Sequence, residues 1–368
     1  MMSSPQLTID LSALKHNYEV LRKHVTPAFV SAVVKANAYG LGVAPVVKAL
    51  HDIECNHFFT AHFNEALEVR AALPYARIAV LNGFAEDEFA EARKNNIIPV
   101  LNSLDAIEKW VAFARSRAEM LPAHIHLDTG MNRLGLGGDE QKRLIANPGM
   151  LDGLELRAIM SHLARAEEFD NLMNQKQLNR FKSLLDRLPK TRSSICNSSG
   201  IFWGKDFHFD YVRPGVALYG ANPTPSKPNP MMPVIEVKAP ILQVRNADAK
   251  MTVGYGATYQ LQRKARVVTI ALGYADGYLR SLSSKGSVKI GNFLAPVIGR
   301  VSMDLTTIDV TDVPETVAHI GALVTVIGPH RPVDTLAEEA GTIPYEILTS
   351  LGERYQRHYV SSDLGIAV

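Results

Sequence analysis

The amino-acid sequence predicts an α/β protein in two parts, a (β/α)8 TIM barrel over residues 1–228 and a smaller all-β C-terminal domain over 229–368. Three observations predict it. Short apolar runs alternate with amphipathic helical patterns about eight times in roughly the first 220 residues, the length such a barrel needs. A proline-rich connector, Asn222-Pro223-Thr224-Pro225-Ser226-Lys227-Pro228-Asn229-Pro230, then interrupts the pattern. Beyond it the apolar runs become strand-like and are separated by glycine turns.

Taken in order, residues 1–9 form a candidate strand that packs on the second domain. Asp10 is placed to cap a helix with Leu11, Leu14, Tyr18 and Leu21 on one face. An apolar run over 29–34, interrupted only by Ser31, reads as the first barrel strand and delivers Lys35 where the pattern turns to Asn37 and Gly40. The other barrel strands are expected at 58–61, 78–81, 97–101, 124–127, 154–160, 194–196 and around 211–212. Helical patterns lie between most of them, as where Asn102 or Ser103 caps a stretch carrying Ile107, Trp110, Val111 and Ala114. In the second part, strand-like runs fall at 234–244, 266–272, 287–290, 294–298, 305–310 and 323–327, and a helix over 335–340 precedes a Pro344-Tyr345-Glu346 turn.

Composition narrows the function classes. Nearly balanced acids and bases give a net charge of +2, which offers no electrostatic footprint for nucleic acid or a membrane surface. The two cysteines, Cys55 and Cys196, have no CxxC or histidine-rich company, so neither a disulfide scaffold nor a metal site is expected. The N-terminus lacks a basic segment followed by an apolar core, and no apolar run approaches a membrane span. A cytoplasmic protein with a small-molecule ligand is the expectation.

The strands of such a barrel open at their C-terminal ends on one face, where active sites form. Near those ends stand Lys35, Asp128 with Arg133, Ser161-His162, Asn197-Ser198 and Arg213-Pro214-Gly215. A lone strand-end lysine usually snorkels to water, and His162 by itself reads as a hydrogen-bonded structural histidine. Their convergence changes the reading. A lysine in a water-poor mouth is an amine nucleophile for a carbonyl, and the loops after the last two strands offer Ser198 and the amides near Gly215 and Val216 for a phosphate. Together they suggest a phosphorylated aldehyde, which pyridoxal 5'-phosphate is. In the second part, Tyr255 lies between Gly254 and Gly256, Tyr274 follows Gly273, and Met303-Asp304 ends a Gly299-Arg300-Val301-Ser302 turn.

In combination, the segments 33–40, Asp128-Thr129-Gly130-Met131 with Arg133, 212–220 and 273–277 resemble those of the bacterial alanine racemases, fold type III pyridoxal phosphate enzymes, over residues from Thr8 to near the C-terminus. The resemblance implies a head-to-tail homodimer in which each active site borrows residues from the other subunit. It implies interconversion of L- and D-alanine through an external aldimine, with Lys35 and the other subunit's Tyr255 as the two catalytic bases, supplying D-alanine for the cell wall. Two bases suit inversion, because one face of the α-carbon loses a proton and the other gains one. Tyr39, Ser198, Gly215, Val216 and Tyr345 match phosphate contacts, with Asn197 beside them. Arg213 matches the partner of the pyridine nitrogen, with His162 behind it. Arg133 and the Met303 amide match the substrate-carboxylate contacts, Asp304 stands beside them, and Tyr274, Arg280 and Ile343 match an entry corridor. A small pocket between Tyr39, Tyr345 and Met303 favours alanine. His126 departs from the pattern by replacing a lysine that carries a carbamate in many members, and Leu41 and Ser302 replace a histidine and a cysteine. A racemase of another small amino acid such as serine is the near alternative. A barrel-type pyridoxal phosphate decarboxylase is disfavoured by Arg213, since that class matches its ring nitrogen with a carboxylate.

Overall fold

The computed structural model describes residues 4–361. Seven barrel strands, Ala32–Val33, His57–Thr60, Arg77–Val80, Ile97–Leu101, Leu121–His126, Leu154–Met160 and Arg192–Ser194, lie side by side in chain order, each parallel to the next. Helices cover the outer faces of most of them, which is why Ile97–Leu101 is buried at every position instead of alternating.

The ring closes through the first strand, which divides at Ser31. Phe29–Val30 pairs with Tyr211–Val212, while Ala32–Val33 pairs with His57–Thr60. Backbone bonds from Asp210 to the Ser193 carbonyl (3.1 Å) and from Arg213 to the Cys196 carbonyl (3.0 Å) join the eighth strand to the seventh. The seventh strand ends at Ser194 rather than running on to Cys196, because Asn197 turns the chain by accepting the Gly200 amide at 3.0 Å.

The second domain is built on the 13-residue strand Ile235–Ala247, which pairs with Leu323–Ile327 and Ala265–Ile270. The start of the chain belongs to the same sheet. Gln6–Asp10 runs antiparallel to that strand on one side and parallel to Gln356–Val360 on the other. Asp10 then caps the helix Leu11–Val25, accepting from the Ser12 and Ala13 amides. From the inner face of that helix the fully buried Asn17 donates to the Leu218 and Met232 carbonyls and accepts the Met232 amide at 2.7 Å, so one side chain fastens the barrel to the chain just beyond the connector. The short helix Val333–Ala340 packs against Leu323–Ile327, and Pro344–Thr349 packs on that helix and on the Lys35–Tyr39 segment, which brings Tyr345 toward the barrel mouth.

Candidate active site

The segment after the first strand takes an unusual path. Ala36, Asn37, Ala38 and Tyr39 all have φ between 52° and 54°, a left-handed helical turn made without glycine. Such residues cost about 1–2 kcal/mol each relative to the right-handed form, so the turn persists only where its surroundings impose it. They do so from both domains. The Ala38 amide bonds the Val34 carbonyl, the Val43 amide bonds the Asn37 side chain at 2.7 Å, and Arg357 and Tyr359 of the last strand donate to the Gly40 and Leu41 carbonyls at 2.7 and 2.8 Å. Gly40 lies so close to the helix Pro344–Thr349 that a Cβ there would meet the Leu348 carbonyl oxygen at 2.3 Å. Leu41 is fully buried, which an apolar side chain at that position allows.

Lys35 opens this turn. Its amine has no hydrogen-bond or ion-pair partner among the described residues. Burial lowers its pKa, the Arg133 and Arg213 guanidinium groups lower it further, and Glu65 opposes them. An amine so placed carries its proton less readily than an exposed lysine and is the better nucleophile for it.

Beside the amine lies a set of hydrogen-bond donors. Tyr39 is buried, stacks on Tyr219 at 4.6 Å and approaches Tyr345 at 6.1 Å. Its hydroxyl rests where Gly215 leaves room, since a Cβ on Gly215 would lie 2.1 Å from it. Among the described residues neither the Tyr39 nor the Tyr345 hydroxyl has a hydrogen-bond partner. The Gly215 and Ala217 amides converge on the Ser198 hydroxyl oxygen at 3.0 and 3.2 Å, with Val216 between them in the chain. Asn197 spends its side-chain oxygen on the Gly200 amide. With both amides directed to its oxygen, the Ser198 hydroxyl turns its own hydrogen outward, and with the two free phenols it makes a donor set suited to a phosphate group.

Arg213, 4% exposed, donates to the Ser194 hydroxyl at 3.1 Å and to the Ser161 carbonyl, not to the His162 ring. Its remaining terminal nitrogen has no hydrogen-bond partner among the described residues, which leaves one guanidinium donor for a ring nitrogen. The donors, the unpartnered amine and this guanidinium together fit pyridoxal phosphate. Arg133 stands exposed and unpaired among the described residues, free to receive a carboxylate. Asp128 shapes its loop by accepting the Gly130, Met131 and Asn132 amides.

Around these cations the histidines are neutral. Burial and the charges of Arg213 and Arg133 hold His162 well below its usual pKa. Burial, with Arg213 next, lowers His126 to about 4. Asn102 fixes the His126 tautomer. Its amide nitrogen is committed to the Leu81 and Val100 carbonyls, so its oxygen must accept from His126 Nδ1 at 2.8 Å, and Nε2 carries the lone pair. His126 is therefore neutral within the field of Arg213 and Arg133.

The remaining sequence-predicted residues lie apart. Tyr255 sits in a small hairpin, Thr252–Val253 with Tyr259–Gln260, that the sequence reading did not resolve, and it is 71% exposed. Met303 is 53% exposed, and Tyr274, Asp304, Arg280 and Ile343 are also exposed on the second domain. Tyr274, Met303 and Asp304 lie together. The Tyr274 and Ala275 amides bond the Ser302 and Met303 carbonyls, and Arg354 pairs with both Asp276 and Asp304. No hydrogen bond, ion pair or ring contact among the described residues links them to Lys35 or Arg213. Asn102, which the sequence offered only as a helix cap, instead bonds His126 and two strand carbonyls, while Ser103 caps the helix.

Comparison with known proteins agrees over nearly the whole chain. Residues 9–223 match the family model for the alanine racemase N-terminal domain and residues 234–359 that for the C-terminal domain. An alanine racemase of Brucella abortus is 45% identical across 96% of this chain and 93% of that protein, and one of Acidiphilium cryptum is 49% identical across 97% and 99%. The crystal structure of alanine racemase from Bartonella henselae with covalently bound pyridoxal phosphate superposes with a TM-score of 0.95 at 43% identity, covering 98% of this chain and all of that one.

The neutral histidine at 126 has a measurable consequence. Its folded pKa of about 4 lies below the ordinary 6.5, so between those values the unfolded chain binds more protons than the folded one. Stability must then rise with pH across that window and fall on acidification through it. We expect urea unfolding to give a lower stability at pH 5 than at pH 7, and His126→Asn, which can still bond Asn102, to flatten that slope. A slope unchanged by the substitution would contradict a neutral imidazole at this position.

Proposed function

The chain belongs to the alanine racemase family, and on that premise we propose that it interconverts L- and D-alanine using pyridoxal phosphate held on Lys35. The observation that carries the proposal is the unpartnered Lys35 amine, set by a left-handed turn beside a phosphate-type donor set and a buried guanidinium. Tyr39, Ser198, Gly215, Val216 and Tyr345 hold the phosphate, with Asn197 shaping the turn beside them. Arg213 donates a hydrogen bond to the pyridine nitrogen and keeps its own proton, as guanidinium does at any ordinary pH. His162 stays neutral behind it. When bound, pyridoxal phosphate supplies the electron withdrawal that makes the α-hydrogen of alanine acidic.

The chain's own groups do the rest. Arg133 and the Met303 amide grip the substrate carboxylate, Asp304 and Tyr274 line its approach, and the Lys35 amine takes or returns the α-proton on one face. The opposite face needs a second acid–base group. Tyr255 is the candidate, and because it is exposed at a hairpin tip of the second domain, Tyr255 of the partner subunit serves each site in a homodimer. No helix among the described residues is long and apolar enough to cross a membrane. The D-alanine formed is proposed to feed cell-wall synthesis in the cytoplasm.

With L-alanine in deuterated water, the purified protein should lose optical activity and gain α-deuterium together. Release of carbon dioxide, or an amino acid left chirally pure, would overturn the assignment. The shared site is tested by mixing two inactive variants, Lys35→Ala and Tyr255→Ala, under conditions of subunit exchange. Random pairing makes half the dimers mixed, each with one intact site of two, so about a quarter of wild-type activity should return. No recovery would show that each chain carries both bases itself.

A further inference from the structure

Glu65 is outside the residues assigned above, yet its carboxylate reaches the segment that carries Lys35. It lies in the first turn of the helix Phe63–Ala72, where Oε2 accepts from the Ala61 and His62 amides at 2.8 and 3.0 Å. Capping the helix requires no more than that. The other oxygen, Oε1, accepts at 2.5 Å from the amide of Ala36, the first residue of the left-handed turn, 29 positions away in the chain. One carboxylate thus ties the mouth of the first barrel strand to that of the second. The groups acting on the Lys35 amine are Arg133 and Arg213, which are cationic, His162, which is neutral, and Glu65, the one anion in that set.

We propose that Glu65 is a positioning residue for Lys35: its grip on the Ala36 amide fixes the start of the left-handed turn and so the direction of the amine, and its charge balances the two arginines. The inference rests on the reading of Lys35 as the amine that binds pyridoxal phosphate. The two duties are read by different observables: an amide removes the charge together with one of the two accepting oxygens, so only the midpoint of its pH dependence reports the charge. Shortening the carboxylate keeps the charge while withdrawing it from Ala36.

The test uses the full chain freed of cofactor, with capture of pyridoxal phosphate followed by absorbance at a series of pH values. In the wild type the rate rises with pH as the amine loses its proton, adds to the aldehyde carbon and expels water. Glu65→Gln should move the midpoint of that rise down by about half a pH unit or more. Glu65→Asp should keep the midpoint and slow capture about tenfold, the cost of a misdirected nucleophile. A wild-type midpoint in Glu65→Gln overturns the proposal whatever its rate. Should that variant fail to fold, capture by Glu65→Asp at the wild-type rate overturns it. Failure of the underlying reading is distinct, because the wild-type chain itself would then show no capture.

Discussion

A left-handed turn of four non-glycine residues, Ala36 to Tyr39, is the constraint on which the site depends. Left alone, that backbone would relax to a right-handed helix and swing the lysine elsewhere. Here it is held by the Val34 carbonyl and Glu65 from within the barrel, and at its exit by Arg357 and Tyr359 from the second domain. The last strand of the chain, Gln356–Val360, therefore does more than complete a sheet. Because it pairs with Gln6–Asp10, which leads directly into the first barrel helix, the two domains close on the Lys35 turn from both ends of the chain.

The electrostatics follow the same economy. Lys35, Arg133 and Arg213 concentrate positive charge at the mouth, and His162 and His126 near them stay neutral, lowered by burial and by the two arginines, His126 to about 4. Adding protons there would compound the repulsion in a poorly solvated site. What the mouth favours is an anionic ligand, and the proposed chemistry brings two, a phosphate and a carboxylate. The Asn102 side chain, with both of its ends committed, holds the His126 proton on Nδ1 and leaves Nε2 an acceptor.

Much of this was legible in the sequence. The eight-fold alternation, the proline-rich connector and the strand-end positions of Lys35, Ser198 and Arg213 follow from periodicity and turn chemistry, and the structure closes the barrel where that pattern places the eighth strand. What was not legible is long-range. Nothing in Lys35-Ala36-Asn37-Ala38-Tyr39 announces a left-handed turn, because alanine prefers the right-handed form and the contacts that overrule it come from residues near 65 and 357. The division of the first strand at Ser31 depends likewise on which neighbour each half finds. The hairpin that carries Tyr255 is two residues on each side, too short for a periodic signal.

The central claim is that this turn aims one particular amine at the aldehyde. Borohydride reduction of the purified protein carrying its pyridoxal phosphate, followed by proteolysis and mass spectrometry, tests it directly. The account predicts a phosphopyridoxyl group on the peptide containing Lys35 and on no other lysine. A modified lysine elsewhere, with Lys35 untouched, would contradict it.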